Sequence, residues 1–435
     1  MHEFHFVRRL TFGVALLQLV PILAAQTVDT ARISNWVGET ATYDRATAVL
    51  PQPTNVRVSA NGSRNALASA SSSSNTDVEL IDRVRRVLDK YYDRPPNTRD
   101  NSPWQLLHWS IAYGIDAQVR MGGPRGAQGS AIGWLSENRP SAGVKLMSLR
   151  NDGLDLPISA GKQGHPGQFL AMLAQSRVES EFPIRVDSRQ LTIADLVMHE
   201  KSTCRTGTEI TFKLIGIAHY GGSVDTWKNS RGEQWSVRRL LEEELRQPIS
   251  SRSTCGGTHR LFALSYAVHC RRKEGLPIDG PWERAARRTE EYQARAFQLQ
   301  NNDGSFSTAW FDRKESTLSK TRRLTTSGHV AEWLAFSLPQ EQLHDERFEK
   351  GLNYLTTIVD SGQATSSDWG ALTHALHALA IYEERALGVS AGQRRRPWLT
   401  ANSATTRAVD RQNSKVSLHE EPTTGSTLAE RYRRP

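Results

Sequence analysis

The chain has 435 residues, 38% of them hydrophobic, which is length enough to bury a large core, so the choice lies between two ordinary domains and one large single architecture. Its formal net charge of +9 invites a nucleic-acid reading. Many of the arginines, Arg394, Arg395, Arg396, Arg407, Arg411, Arg431, Arg433 and Arg434, nevertheless lie in a polar tail without helical pattern, and no basic stripe interleaved with aromatics marks the rest, which argues against a nucleic-acid partner.

In chain order, Arg8 and Arg9 precede an apolar run over 10–25 that closes on Ala24 and Ala25, the pattern of a secretory signal. The run is short of the ~20 residues a membrane span needs and contains Pro21. Residues 1–25 are therefore expected to be removed and the protein exported, to a periplasm or outside the cell, with no stable span after processing; an uncleaved segment would leave it membrane-anchored. Residues 26–77 lack sustained periodicity and end in a Ser/Ala/Asn tract over 66–75, expected to be a flexible linker. The basic tail, 387–435, is expected to be disordered.

Between these ends, over 78–386, the pattern changes. Leu80, Ile81, Val84, Val87, Leu88 and Tyr91 recur at three and four, predicting an amphipathic helix capped by Thr76 or Asp77. The helix predicted over 104–115 is apolar on more than one face. The pairing recurs: amphipathic helices over 191–199, 235–246, 282–299 and 342–359 each precede a shorter, more apolar one starting near Gly207, Gly257, Gly328 and Gly370. A helix apolar all round belongs inside and its charged neighbour on the rim. The expectation is an all-α fold, an (α/α)6 toroid of helical hairpins around a central pocket. One unit is irregular, because 126–161 reads as short strands over 144–149 and 154–158 joined by Asn151-Asp152-Gly153. There a small β-hairpin insertion is expected to replace one outer helix, with 165–175 still supplying the inner one.

Laid over one another, the inner helices share a register. Gly164-His165, Thr208-Glu209, Thr258-His259, Gly328-His329 and Thr373-His374 each place a polar residue five positions before a leucine, and His108 with Tyr113 fills the place in the first helix. Of 13 histidines in the chain, five fall on this one register. Structural capping or packing would account for such a position. The functional alternative is a ring of imidazoles and one carboxylate facing a shared cavity, fit for general acid/base work near neutral pH or for a transition metal. On that reading Glu209 is the acid/base candidate, assisted by His165, His259 and His329, while His108 and His374 complete the lining. Loops entering the inner helices form the mouth and display Arg205, Arg260, Asp303, Trp310, Arg322, Arg323, Asp368 and Trp369, a set suited to a carbohydrate or anionic ligand. Arg260, Asp303, Trp310 and Asp368 are the candidate substrate-binding groups, and the sequence specifies neither a cofactor nor a metal set.

Three cysteines remain. Cys204 and Cys255 hold matching places in neighbouring mouth loops, each after a threonine, so an oxidising compartment predicts a Cys204–Cys255 disulfide; the competing reading is thiolate metal ligands beside His259. Cys270 is expected to be a buried free thiol.

The segment Gln300-Asn301-Asn302-Asp303-Gly304-Ser305-Phe306 resembles the repeated Gln/Trp signature of the α/α toroids shared by terpenoid cyclases and protein prenyltransferase subunits, with Phe306 where Trp is usual. The resemblance covers most of 78–386 and implies a fold, since in that family the signature ties an outer helix to the next turn. The Asp-x-Asp-Asp motif of the protonating cyclases is absent from the chain. Cys255-Gly256-Gly257-Thr258-His259 is similar only in part to the Cys-His-Gly segment of zinc-dependent lanthionine-forming cyclases, so neither activity nor zinc is carried over. Six-hairpin toroids also serve polysaccharide hydrolases and lyases. The expected function is accordingly an exported hydrolase or lyase acting on a polysaccharide or other anionic substrate; the alternative is a non-catalytic cell-envelope binding scaffold of this fold.

Overall fold

Charged, one-faced helices alternate with apolar ones throughout the chain, and that alternation decides which pack together. The computed structural model describes residues 65–150, 153–362 and 368–389, so the expected signal segment over 1–25 and the expected basic tail from 390 onward lie outside the described residues. Twelve α-helices follow in six pairs: α1 (Asn65–Tyr92) with α2 (Pro103–Tyr113), α3 (Ala131–Ser136) with α4 (Gln168–Gln175), and α5 (Ile193–Ser202) with α6 (Thr211–Gly221). The second half continues with α7 (Val237–Arg246) and α8 (Thr258–Lys273), α9 (Gly280–Gln298) and α10 (Lys320–Ser337), and α11 (Glu346–Asp360) and α12 (Trp369–Leu387).

The two helix types differ in burial as their composition dictates. α4 is buried from Gln168 through Ala174, whereas α7 buries only Val237, Leu240, Leu241 and Glu244, a single stripe at three- and four-residue spacing. Even-numbered helices pack in succession, α2 on α4, α4 on α6, α6 on α8, α8 on α10, α10 on α12, and α12 returns to α2. Odd-numbered helices cover them, α5 on α4 and α6, α7 on α6 and α8, α9 on α8 and α10, α11 on α10 and α12, with α1 on α11 and α12 and α3 on α2. The tightest contact, α10 on α12, depends on small residues: a Cβ at Gly328 would stand 3.1 Å from both Ala371 O and Ala375 N.

Four two-stranded antiparallel hairpins punctuate the helices: β1 (Gln118–Arg120) with β2 (Gln128–Ser130), β3 (Ser148–Arg150) with β4 (Gly153–Asp155), β5 (Pro183–Val186) with β6 (Arg189–Thr192), and β7 (Thr226–Lys228) with β8 (Gln234–Ser236). Three of them lead directly into outer helices α3, α5 and α7, and their last residues cap those helices. The hydroxyls of Ser130, Thr192 and Ser236 accept from Gly133, Asp195 and Arg239 N–H respectively. The expected insertion is thus one instance of a recurring part, and the outer helix beside it is shortened to α3 rather than replaced. The β3/β4 pair matches the expected hairpin in place but is shorter, with Leu149 opposite Leu154; its turn at 151–152 lies outside the described residues. The other hairpins escaped the sequence reading because strands of three or four residues hold too few alternations to register.

A second correction concerns the linker. α1 begins at Asn65, so the Ser/Ala/Asn tract is helical where a flexible spacer was expected. Its C-terminal half packs on α11 and α12, and a helix already nucleated extends at little cost through alanine-containing sequence.

Candidate functional site

The register read along the inner helices is also a place in space. His108 in α2 lies 5.5 Å, centroid to centroid, from His374 in α12, which stands 3.8 Å from His329 in α10. His259, at the start of α8, is 5.3 Å from His329, 5.6 Å from His374 and 5.3 Å from His165. His165 Nδ1 closes on both oxygens of Glu209, at 2.9 and 3.1 Å. The six residues expected to share a lining therefore meet, each delivered by a different inner helix or the loop entering it. Aromatic rings hold them: Trp104 lies 3.9 Å from His108, and Phe212 sits between His165 at 4.7 Å and His259 at 5.1 Å.

Hydrogen bonds fix the state of these imidazoles. His108 Nδ1 donates to Trp104 O and His329 Nδ1 to Thr325 O, both at 2.8 Å, and a carbonyl only accepts. Glu332 Oε2 receives His374 Nδ1 at 2.7 Å while its Oε1 receives His377 Nδ1 at 2.6 Å. His108 and His329 thus carry a proton on Nδ1, which leaves their Nε2 lone pairs as the reactive face. Burial, with the neighbouring imidazoles, pushes His108 and His329 down to about 3 and His259 well below its ordinary value, so all three are neutral in any physiological medium. For Glu332 burial acts upward, but His374 and His377 outweigh it and hold the carboxyl well below the usual carboxylate range. His259 is the exception in the network: both of its ring nitrogens are buried and lack a hydrogen-bond partner.

Cys255 enters the cluster by an unusual turn. Cys255, Gly256 and Gly257 all have positive φ, at 48°, 65° and 84°, and deliver the chain into α8. A Cβ on Gly256 would fall 2.1 Å from Trp310 Cδ2, so only glycine lets the indole lie against this turn, where it also meets His329 edge-on at 5.9 Å. The Sγ of Cys255 and one nitrogen each of His259 and His329 lie within 4.8 Å of one another. The expected Cys204–Cys255 disulfide does not form: all three cysteines are free. Cys204 is buried after α5 with its thiol on Glu200 O at 3.3 Å, whereas Cys255 is turned by its left-handed backbone toward the histidines. Burial pushes the Cys255 thiol up to about 12, with Glu332 and Glu209 adding to the effect, so it is no ready nucleophile. Cys270 is a buried free thiol, as expected.

The other mouth residues divide. Trp310 is buried against Gly256 and His329 and carries the Arg322 guanidinium 5.1 Å above its ring. Arg260 is committed to the fold: its Nε donates to the buried carboxylate of Glu244 at 2.7 Å and its Nη1 to Pro248 O at 2.8 Å. Asp303 likewise organises its own loop, accepting from Ser305 and pairing with Arg323. Asp368 is buried at the entry to α12, next to Trp369, whose Nε1 donates to Gln105 O. A cavity of about 350 Å³ opens beside the cluster, bordered by Glu209, His259, Arg260 and the exposed Arg252. A second, of about 580 Å³, lies among the C-terminal ends of α4, α6, α8, α10 and α12 and is bordered by His219, Tyr266, His269, Lys273, His377 and Arg385.

Two members of the centre were missed in the sequence. Glu332 was readable as a lone carboxylate in the otherwise apolar stretch of α10, one turn beyond His329, and His377 stands one turn beyond His374. Cys255, four residues before His259, was read first as a disulfide partner, with a thiolate metal ligand beside His259 as the competing reading, and it is the latter neighbourhood that the structure gives it. The Gln300 segment does link an outer helix to the next, since its Nε2 donates to Gly304 O at 3.0 Å and to Arg347 O at 2.8 Å in α11. No family model, characterised protein or solved structure matches this chain.

Proposed function

We propose that the described body is an (α/α)6 toroid of terpenoid-cyclase-like type and that it is an exported lyase or hydrolase acting on a polysaccharide or other anionic substrate in its central pocket. The toroid reading is supported by the circuit of even-numbered helices, in which α12 returns to α2 while odd-numbered helices cover the outside. The observation that carries the functional reading is the meeting of His108, His165, Glu209, His259, His329 and His374, brought from six inner helices and the loops that enter them. A packed core has no use for so many buried neutral imidazoles, whereas proton transfer does.

In this reading Glu209 and His165 are the proton-transfer pair, because Glu209 borders the cavity, His165 is bonded to it, and their side chains keep 32% and 16% of their exposure. Arg252, exposed on the same cavity, supplies positive charge for an acidic substrate in place of the committed Arg260. A two-carboxylate glycosidase needs a second acid facing the substrate. Asp303 is engaged by Ser305 and Arg323 and Glu332 by two histidines, so elimination with one base and a charge-neutralising group is favoured over hydrolysis. Those same engagements are what a non-catalytic binding scaffold would also display, and it remains the second reading.

The purified protein should be incubated with a panel of acidic and neutral polysaccharides while ultraviolet absorption of unsaturated products and new reducing ends are followed. Absorption that rises on an acidic polymer, and is lost in Glu209→Gln, is expected. Reducing ends without absorption select hydrolysis; binding without turnover in any polymer selects the scaffold.

A further inference from the structure

Three features of the central cluster converge on a bound ligand. His259 presents two buried ring nitrogens without a partner, which is costly in a packed interior. His329, its neighbour, has its Nδ1–H held by Thr325 O and hence its Nε2 lone pair free. Cys255 is kept in a left-handed backbone, which strains a residue that bears a side chain, in the turn that brings its Sγ to these nitrogens. A neutral His259 ring protonates one nitrogen only, so its other nitrogen, His329 Nε2 and Cys255 Sγ make three converging donor atoms.

We infer that Cys255 Sγ, His259 and His329 Nε2 bind one divalent transition metal of the zinc class. The inference rests on the reading of this cluster as the reaction centre for the metal's catalytic use, though not for its binding. One sulfur and two imidazole nitrogens are a borderline-soft donor set that selects zinc over magnesium or calcium. In a tetrahedral site with Zn–S of about 2.3 Å and Zn–N of about 2.0–2.1 Å, ligand atoms stand roughly 3.3–3.7 Å apart. The three atoms already lie within 4.8 Å of one another, so closure asks for a movement of about 1 Å. A ligating histidine ordinarily donates its other N–H to a carbonyl or carboxylate, and Thr325 O provides that anchor for His329. With three protein donors the fourth position falls to an oxygen of water or of a substrate carboxylate. Trp310, against Gly256 and His329, shelters the site from solvent.

The test uses the full chain, stripped with a chelator, checked for retained helicity, loaded with Zn2+ or Co2+ and desalted. Elemental analysis is expected to give one metal per chain, and the cobalt form a thiolate-to-cobalt charge-transfer band. Cys255→Ser, nearly isosteric, should abolish that band while leaving the d–d absorption, and should weaken Zn2+ binding by more than about 100-fold, beyond what loss of an outer partner does. His259→Gln should weaken binding similarly, so that the inference does not depend on one variant's folding. A folded wild-type chain that retains no metal, or a metal whose content and spectrum ignore both substitutions, overturns the inference. Metal binding without turnover of any polymer removes the enzyme reading and keeps the site, whereas turnover by the stripped chain, unimproved by Zn2+, removes the metal's catalytic use.

Discussion

Replacing Glu332 tests the architecture of the centre at its most connected atom pair. The carboxylate is 5% exposed and its two oxygens hold His374 and His377, rings one helical turn apart on α12, from a position on α10. Hydrogen bonds to a charged group contribute about 1.5–3 kcal/mol each. Glu332→Gln keeps one carbonyl acceptor but sets an amide N–H2 against the second ring; that ring can shift its proton to Nε2 and accept, which recovers part of the loss. The net cost is expected at about 2–4 kcal/mol, and at about 3–5 kcal/mol for Glu332→Ala, which strands both N–H groups. Urea unfolding followed by tryptophan fluorescence, with a slope of about 3 kcal/mol/M for a chain of this size, should move its midpoint down by about 1 M for the Gln variant. Histidine nitrogen NMR on the same samples should show one ring changing tautomer. A midpoint unmoved in both variants, with both rings unchanged, would mean that Glu332 does not organise the centre.

Three further outcomes follow from the same coordinates. Gly256→Ala places a methyl within 2.1 Å of the Trp310 ring at φ 65°, and the left-handed backbone at about 1–2 kcal/mol plus overpacking at about 1–3 kcal/mol predicts a loss near 3 kcal/mol in the same urea assay, with Trp310 displaced from His329; an unperturbed variant would contradict that packing. Lys213 and Glu200 form an ion pair at 3.0 Å with 5% and 3% of their side chains exposed, so Lys213→Met should destabilise by about 3–5 kcal/mol, and adding Glu200→Leu should restore most of it; a double variant as unstable as the single would show that the pair is not the cause. Burial, aided by Lys273, Arg177 and His269, depresses His219 to about 4. Being a base with a folded value below its unfolded 6.5, it leaves stability untouched above pH 6.5 and removes it progressively as pH falls from 6.5 to about 4, by about 2 kcal/mol after allowing for partial solvation at the cavity. His219→Gln should flatten that part of the pH–stability curve.

What the sequence made legible is the part governed by periodicity. The alternation of one-faced and all-round apolar helices follows from burial alone, and the shared register of His108, His165, Glu209, His259, His329 and His374 translates into proximity because inner helices that repeat at one pitch present equivalent positions at one level. The hairpins ahead of α3, α5 and α7 were hidden because three-residue strands carry no period, and α1 extends past its apolar stripe because helix propagation needs none. The Cys204–Cys255 pairing failed for a different reason: matching places in consecutive loops fix neither the direction of a thiol nor its neighbours, and the positive φ at Cys255 cannot be read from composition. Arg260 and Asp303 were assigned to substrate because they are charged and near the mouth, yet charge placed there is equally available to Glu244 and Arg323.

Charge balance links Glu332 to the proposed metal. His108, His259 and His329 are neutral, and Glu332, held ionised by N–H donors, contributes a buried negative charge at the centre. Hydrogen bonds from His374 and His377 orient that carboxylate, and a buried charge without a counter-charge is costly. A thiolate at Cys255 alone would worsen the imbalance, in keeping with the raised value of its thiol. A divalent cation ligated by that thiolate moves the sum the other way, its two positive charges offsetting the sulfur and the neighbouring carboxylates of Glu332 and Glu209. On this account the carboxylate in α10 and the cysteine before α8 are two halves of one electrostatic arrangement, with His374 held between them in ring contact with His329.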